Sequence, residues 1–179
     1  MKKIPTIFVR DQIGRITDVC HPSCIWVFKG QGIARRKYDG TACMVRNDTL
    51  YKRFECKAGK TPPPTFEPCE AAPDAITGHW PGWVQIGGGD KWHIEAWQAV
   101  DKRLPDGTYE LCGPKIQKNP EGLERHVLIR HDTAPVFDVP RTFDELREFM
   151  STFTHEGVVF YLDGEPRAKI KRRDFDRVL

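Results

Sequence analysis

The residues whose types and spacing could do chemistry fall in four segments. In Arg35-Arg36-Lys37-Tyr38-Asp39-Gly40 a lysine stands two residues before an acid and three before a glycine, ahead of a strand-like run, Thr41 to Val45. Three later segments follow: Tyr109-Glu110-Leu111-Cys112-Gly113-Pro114-Lys115-Ile116-Gln117-Lys118, then Glu156-Gly157-Val158-Val159-Phe160, then Ala168-Lys169-Ile170-Lys171. A lysine that sheds its proton is a nucleophile, and lysines that keep theirs neutralise anions. K-x-D-G alone arises by chance in many proteins, so it is the order and spacing of all four segments that carry weight. In an extended strand, residues two apart share a face, so Lys169 and Lys171 can converge on one region while Ile170 points into the core.

The elements that must position these residues read as short strands joined by turn dipeptides. Thr41 to Val45 and Thr49 to Phe54 flank Arg46-Asn47-Asp48 as one hairpin, and Gly157 to Tyr161 and Arg167 to Lys171 flank Asp163-Gly164 as another. Helical spacing predicts a helix over Trp92 to Val100. Thr142-Phe143-Asp144-Glu145 reads as a capping box opening a second helix, Thr142 to Thr152, with Phe143, Leu146, Phe149 and Met150 as its apolar stripe. Between Lys57 and Gly82 lie six of the 14 prolines and no apolar periodicity, which predicts one long loop.

At 179 residues, with 39% hydrophobic and 30% charged residues, the chain has an ordinary globular composition. Its length predicts one domain, residues 1–179. No apolar run approaches the roughly 18 residues that span a bilayer, and Pro5 and Arg10 interrupt the start, so no membrane span, no signal peptide and a cytoplasmic location are expected. The net charge of +3 is too small to argue for a nucleic-acid partner, but the 13 residues from Arg167 to Leu179 carry six basic and two acidic side chains, leaving the other 166 at about −1. Cys20 and Cys24 flank His21 at a spacing open to zinc, and Cys56 with Cys69 could form a second pair. Neither has the CxxC knuckle, so the six cysteines read as reduced core or loop thiols.

The four ordered segments resemble the covalent nucleotidyltransferase superfamily of ATP-dependent ligases and mRNA capping enzymes. That family's signature is KxDG, an ExxG-type strand, EGVV, and KxK near the domain end. The Glu-Leu-x-Gly-Pro-x-Ile-Gln-Lys stretch is most similar to RNA ligases of the second bacteriophage type and small relatives, and the resemblance spans Lys37 to Lys171. It implies an α+β fold of antiparallel sheets with a few flanking helices, the nucleotidyltransferase ligase fold, unrelated to ATP-grasp. Only eight residues follow Lys171, so no OB domain is expected.

What the resemblance implies for the site is specific. Lys37 matches the nucleophile that attacks the α-phosphate of ATP to form lysyl-AMP. A free lysine is only about one part in 2,500 neutral at pH 7, so such a site must favour the amine, and Lys169 and Lys171 are the nearby cations expected to help. Glu110 matches the residue on the ribose hydroxyls, Asp39 lies beside the ribose and nucleophile with Gly40 completing the motif, and Glu156 organises Mg²⁺, for which Mn²⁺ could substitute. Arg53 matches an arginine near the ribose and incoming RNA phosphate, with Lys52 and Lys57 as basic neighbours. Arg35 and Arg36 would meet the adenine edge through backbone, or RNA phosphates through their side chains. The adenine-stacking place falls in His126 to Phe137, on Phe137 or a non-aromatic residue. The six histidines have no spacing that marks a catalytic or metal role. The expected activity is ATP-dependent joining of RNA 5′-phosphate and 3′-hydroxyl ends by a monomer. The alternatives are a guanylyltransferase or DNA ligase adenylation domain, and a non-catalytic RNA- or nucleotide-binding module.

Overall fold

A computed structural model describes residues 2–100 and 103–176, so Arg177, counted in the basic terminal run, lies outside the described residues. In chain order the elements are β1 (Phe8–Arg10), β2 (Ile16–Cys20), α1 (Ile25–Phe28), β3 (Ile33–Lys37), β4 (Thr41–Arg46), β5 (Thr49–Cys56), β6 (Glu67–Pro68), β7 (Trp80–Gln85), α2 (Lys91–Gln98), β8 (Gly107–Cys112), β9 (Val127–Arg130), β10 (Val136–Phe137), α3 (Phe143–Thr152), β11 (Gly157–Leu162), β12 (Glu165–Lys171) and α4 (Arg172–Phe175). The chain is therefore mixed α/β, with antiparallel sheets and few helices. It divides into two compact units, Met1–Lys3 with Asp39–Thr133, and Ile4–Tyr38 with Ala134–Leu179. Among the described residues no helix is long and apolar enough to cross a membrane.

The first unit is built on a six-stranded sheet in the order β6-β7-β5-β4-β8-β9. Its β4–β5 hairpin turns through Asn47 and Asp48, at φ 49° and 60°, a left-handed pair that matches the twist of the flanking strands. Residues opposite one another in register share a face, so Lys52, Cys43 and Tyr109 form one row, and the neighbouring row of Tyr51, Met44 and Thr108 lies on the other face. Cys43, Val45, Leu50, Tyr109 and Leu111 build the apolar core together with Ala96 of α2. Helix α2 starts one residue before the predicted Trp92. The Asp90 carboxylate that precedes it does not cap the helix but accepts from Lys52 Nζ and the Gly87 N–H.

The stretch predicted as one loop, Lys57 to Gly82, contains β6 and the start of β7. Hydrophobic anchoring outweighs the proline content here. The Phe66 ring packs 6.0 Å from Phe54 and 5.5 Å from Trp80, and Cys69 N–H donates to Pro81 O at 2.9 Å. Pro68 is tolerated because β6 is an edge strand.

The second unit holds a four-stranded sheet, β10-β3-β11-β12, and the β1–β2 pair. The β11–β12 hairpin turns through Asp163 and Gly164 at φ 53° and 79°. Ala34, Val158, Phe160, Ala168 and Ile170 from one sheet face pack with Leu146 and Met150 of α3 and with Phe8, Ile7 and Phe175. The predicted capping box does not form at α3. Thr142 Oγ1 donates instead to the Glu145 carboxylate at 2.6 Å, so the hydroxyl and acid satisfy each other rather than backbone N–H groups. The stripe itself packs as predicted, with Phe143 and Phe149 partly buried against the core.

Candidate functional site

Three adjacent strands of the second unit place Lys37, Gly157 and Lys171 in one row, Lys37 opposite Gly157 on β3 and Lys171 opposite Gly157 on β12. The middle residue has no side chain, and none would fit. A Cβ on Gly157 would lie 2.2 Å from Ile170 O and 2.7 Å from Lys171 Cα. The carboxylate of Glu156, at the entry to β11, fills the place between the two lysines. Its Oε2 accepts from Lys37 Nζ at 2.6 Å and its Oε1 from Lys171 Nζ at 2.5 Å. The acid is 7% exposed and the lysines 20% and 17%, so this triad is shielded but within reach of a ligand. Lys37 Nζ also donates to Tyr38 O at 3.3 Å.

The same face extends along the strands. Arg35, Val159 and Lys169 form the next row, two residues from the first. Arg35 is anchored by its guanidinium to Ala134 O at 2.8 Å. Ile170, between the two lysines of β12, is fully buried, as its alternation requires. The triad alone carries a net positive charge, and Arg35 and Lys169 add two more cations on that face, which suits a polyanion. The end of β12 is held by Asp174, whose Oδ2 accepts the Lys171 N–H at 3.0 Å and whose Oδ1 accepts from Arg10 at 2.7 Å. Arg36 belongs to the opposite face, in register with Val158 and Ile170, and its guanidinium stacks 4.4 Å from the Tyr38 ring centroid.

In the first unit a second cluster forms around Glu110, which is 8% exposed. Its Oε1 accepts the Gly40 N–H at 3.1 Å, and its Oε2 meets His131 Nε2 at 2.8 Å. His131 Nδ1 in turn meets Thr108 Oγ1 at 3.0 Å. Gly40 must be glycine because a Cβ there would sit 2.3 Å from Leu111 O and 2.8 Å from the Glu110 side chain. The neighbouring Asp39 N–H donates to Glu121 Oε1 at 3.0 Å. Across the sheet from Glu110, Ala42 and Ile129 are its register partners, so small and aliphatic side chains flank the acid on its own face.

Strand parity separates the basic neighbours on β5. Lys52 lies on the core face and is tied to Asp90, whereas Arg53 alternates to the Glu110 face. There Arg53 stacks on Trp83, its register partner on β7, at 5.5 Å and reaches Cys69 Sγ at 3.4 Å. Lys57 falls beyond the strand end. Burial acts to raise the Asp90 carboxyl, but the hydrogen bonds from Lys52 and the Gly87 N–H outweigh it and hold the group below the ordinary carboxylate range. Burial, reinforced by the charge of Glu110, pushes the Cys43 thiol far up, which removes it as a nucleophile. Phe137 is engaged elsewhere, its ring 5.1 Å from Phe153 and 5.8 Å from His155.

Sequence reasoning missed His131 and Asp174. Each acts through a partner 21 and 164 residues away respectively, Glu110 and Arg10, and no local spacing marks them. Among the described residues no group of three or more His, Cys, Asp or Glu could hold a metal ion, and Cys24 is fully buried in the apolar core, a core thiol as the sequence reading has it. Glu156 stands as a single acid next to cations, an arrangement compatible with Mg²⁺, which keeps several waters and borrows phosphate oxygens from its substrate. No family model matches the chain, and no curated protein matches it at a significant level.

Proposed function

We propose that this chain is an ATP-dependent RNA ligase of the covalent nucleotidyltransferase type and that its antiparallel sheets form that family's ligase fold. The observation that supports the reading best is the Lys37–Glu156–Lys171 triad. It gathers the lysine of K-x-D-G, the acid of E-G-V-V and the second lysine of K-x-K around a glycine that only glycine can occupy.

In this reading the ion pair between Lys37 and Glu156 opens as the ammonium passes its proton to solvent, leaving the neutral amine. Lys37 Nζ then attacks the α-phosphorus of ATP, forming the N–P bond as the P–O bond to pyrophosphate breaks. Lys169 and Lys171 hold the triphosphate, since phosphoryl transfer asks chiefly for positioning and charge neutralisation. Mg²⁺, held by Glu156, would supply further neutralisation of the phosphate oxygens. Glu110 takes the ribose hydroxyls, Asp39 and Gly40 lie beside them, and Ile129 and Ala42 offer the aliphatic surface for the base in place of an aromatic. Arg53 would meet the nucleotide or the RNA phosphates, while Arg36, whose side chain lies on the opposite face, would contribute through its backbone. A 5′-phosphate oxygen of RNA then attacks the AMP phosphorus and frees Lys37. Finally an RNA 3′-hydroxyl attacks the activated 5′-phosphate, joining the ends and releasing AMP.

The test is incubation of purified protein with α-labelled ATP and Mg²⁺, in parallel with labelled GTP and with Lys37→Ala, followed by a denaturing gel. The expected result is label on the 20.6 kDa band from ATP, reversed by pyrophosphate and missing from the variant. Label retained by Lys37→Ala would remove it as nucleophile, and label from GTP alone would make the protein a guanylyltransferase. Sealing of nicked RNA, DNA and hybrid duplexes then separates an RNA ligase from a DNA ligase.

A further inference from the structure

We infer that His131 is a positioning residue that aims the Glu110 carboxylate at a ribose cis-diol and so makes the nucleotide site selective for ribonucleotides over 2′-deoxynucleotides; the inference rests on the nucleotidyltransferase reading. A carboxylate accepts hydrogen bonds and donates none, so the ring nitrogen 2.8 Å from Glu110, Nε2, carries the hydrogen. The other ring nitrogen meets the Thr108 hydroxyl, which can donate or accept, and this second contact fixes the ring plane. Thr108 and Glu110 are two residues apart on β8 and lie on one sheet face, so the strand itself sets the spacing that the imidazole bridges.

The consequence for Glu110 is a count of lone pairs. Its two oxygens offer about four acceptor sites. One on Oε1 is taken by the Gly40 N–H and one on Oε2 by His131. Each oxygen keeps one site, held in the plane that the two donors define, and adjacent hydroxyls of a ribose are the complementary pair of donors. Without His131 the carboxylate rotates about its side-chain torsions and loses the second of these sites. A 2′-deoxyribose can use only one of them, so its binding depends little on the orientation His131 imposes.

The experiment measures lysyl-AMP formation from ATP and from 2′-deoxy-ATP in wild type, His131→Ala, His131→Gln and Thr108→Val, with thermal unfolding of each. Hydrogen bonds to a charged group imply that wild type prefers ATP by roughly 10- to 100-fold. His131→Ala is expected to lower kcat/KM for ATP by about 10-fold, chiefly through KM, while changing that for 2′-deoxy-ATP less than about threefold. His131→Gln, whose amide nitrogen can take the place of Nε2, recovers most of the preference. Thr108→Val frees the ring with little change of volume and moves the ratio in the same direction as His131→Ala. Equal losses on both nucleotides, or an unchanged ratio, overturn the positioning role while leaving the ligase reading intact. Absence of any label in folded wild type overturns both.

Discussion

Replacing Glu156 by glutamine tests the triad directly, because the amide keeps the shape and removes the charge. Each carboxylate oxygen now holds one ammonium, at 2.6 and 2.5 Å. The amide can accept from one lysine only, and it turns its NH₂ toward the other, donor against donor. Removing one partner from a fully buried ion pair costs about 3–5 kcal/mol. Here the acid is 7% exposed but the lysines are 20% and 17% exposed, so water relieves part of the loss. We expect a cost of roughly 2–4 kcal/mol, which in a protein of this size lowers Tm by about 4–16 °C. Lys171→Met in the same background removes the cation left without a partner, so the double variant should recover about 1–2 kcal/mol relative to additivity. Urea and thermal denaturation of the four proteins in the cycle give the coupling. A Glu156→Gln protein that melts within 1 °C of wild type, or a cycle with no coupling, would refute the placement of this carboxylate between the two lysines.

Gly157→Ala puts a Cβ 2.2 Å from a backbone oxygen of β12, so β11 and β12 must part beside Lys171. We expect a loss of about 1–3 kcal/mol together with impaired lysyl-AMP formation. Gly87→Ala, where nothing lies within 4 Å, serves as control and should be neutral or slightly stabilising in the same melts. His93 is held below the ordinary histidine range by burial, and its Nε2 has no hydrogen-bond partner among the described residues. A histidine depressed in the fold takes up its proton more readily when unfolded, so its contribution to stability is present above about pH 6.5 and is lost as pH falls toward its folded value. His93→Leu should therefore flatten the fall in stability between pH 7 and pH 5, read from urea midpoints, and a slope identical to wild type would show that His93 is not responsible.

The hairpins and the α3 stripe were legible because their causes are local. Asn47-Asp48 and Asp163-Gly164 supply left-handed turn conformations, and the apolar residues of Phe143 to Met150 recur at helical spacing. The strand start at Trp80 was not legible, because Phe66 and Phe54 hold it and neither is a neighbour in sequence. The capping box at Thr142 misled for a related reason. The motif names two side chains able to reach the backbone, and the folded geometry lets them bond to each other instead.

The sequence by itself determined which faces side chains would share. Lys169 and Lys171 had to flank a buried Ile170, and Arg53 had to part from Lys52, because a strand alternates with period two whatever surrounds it. It could not determine what those faces would meet. The row through Lys37, Gly157 and Lys171 depends on a register between Lys37 and Gly157, the bond from Lys37 to Glu156 spans 119 residues, and the bond from Gly40 to Glu110 spans 70. Such pairings arise only when the sheets close and each carboxylate, leaving water, must find its donors. That requirement brought His131 to Glu110, while burial of apolar surface drew Phe137 onto Phe153, and no spacing along the chain records either outcome.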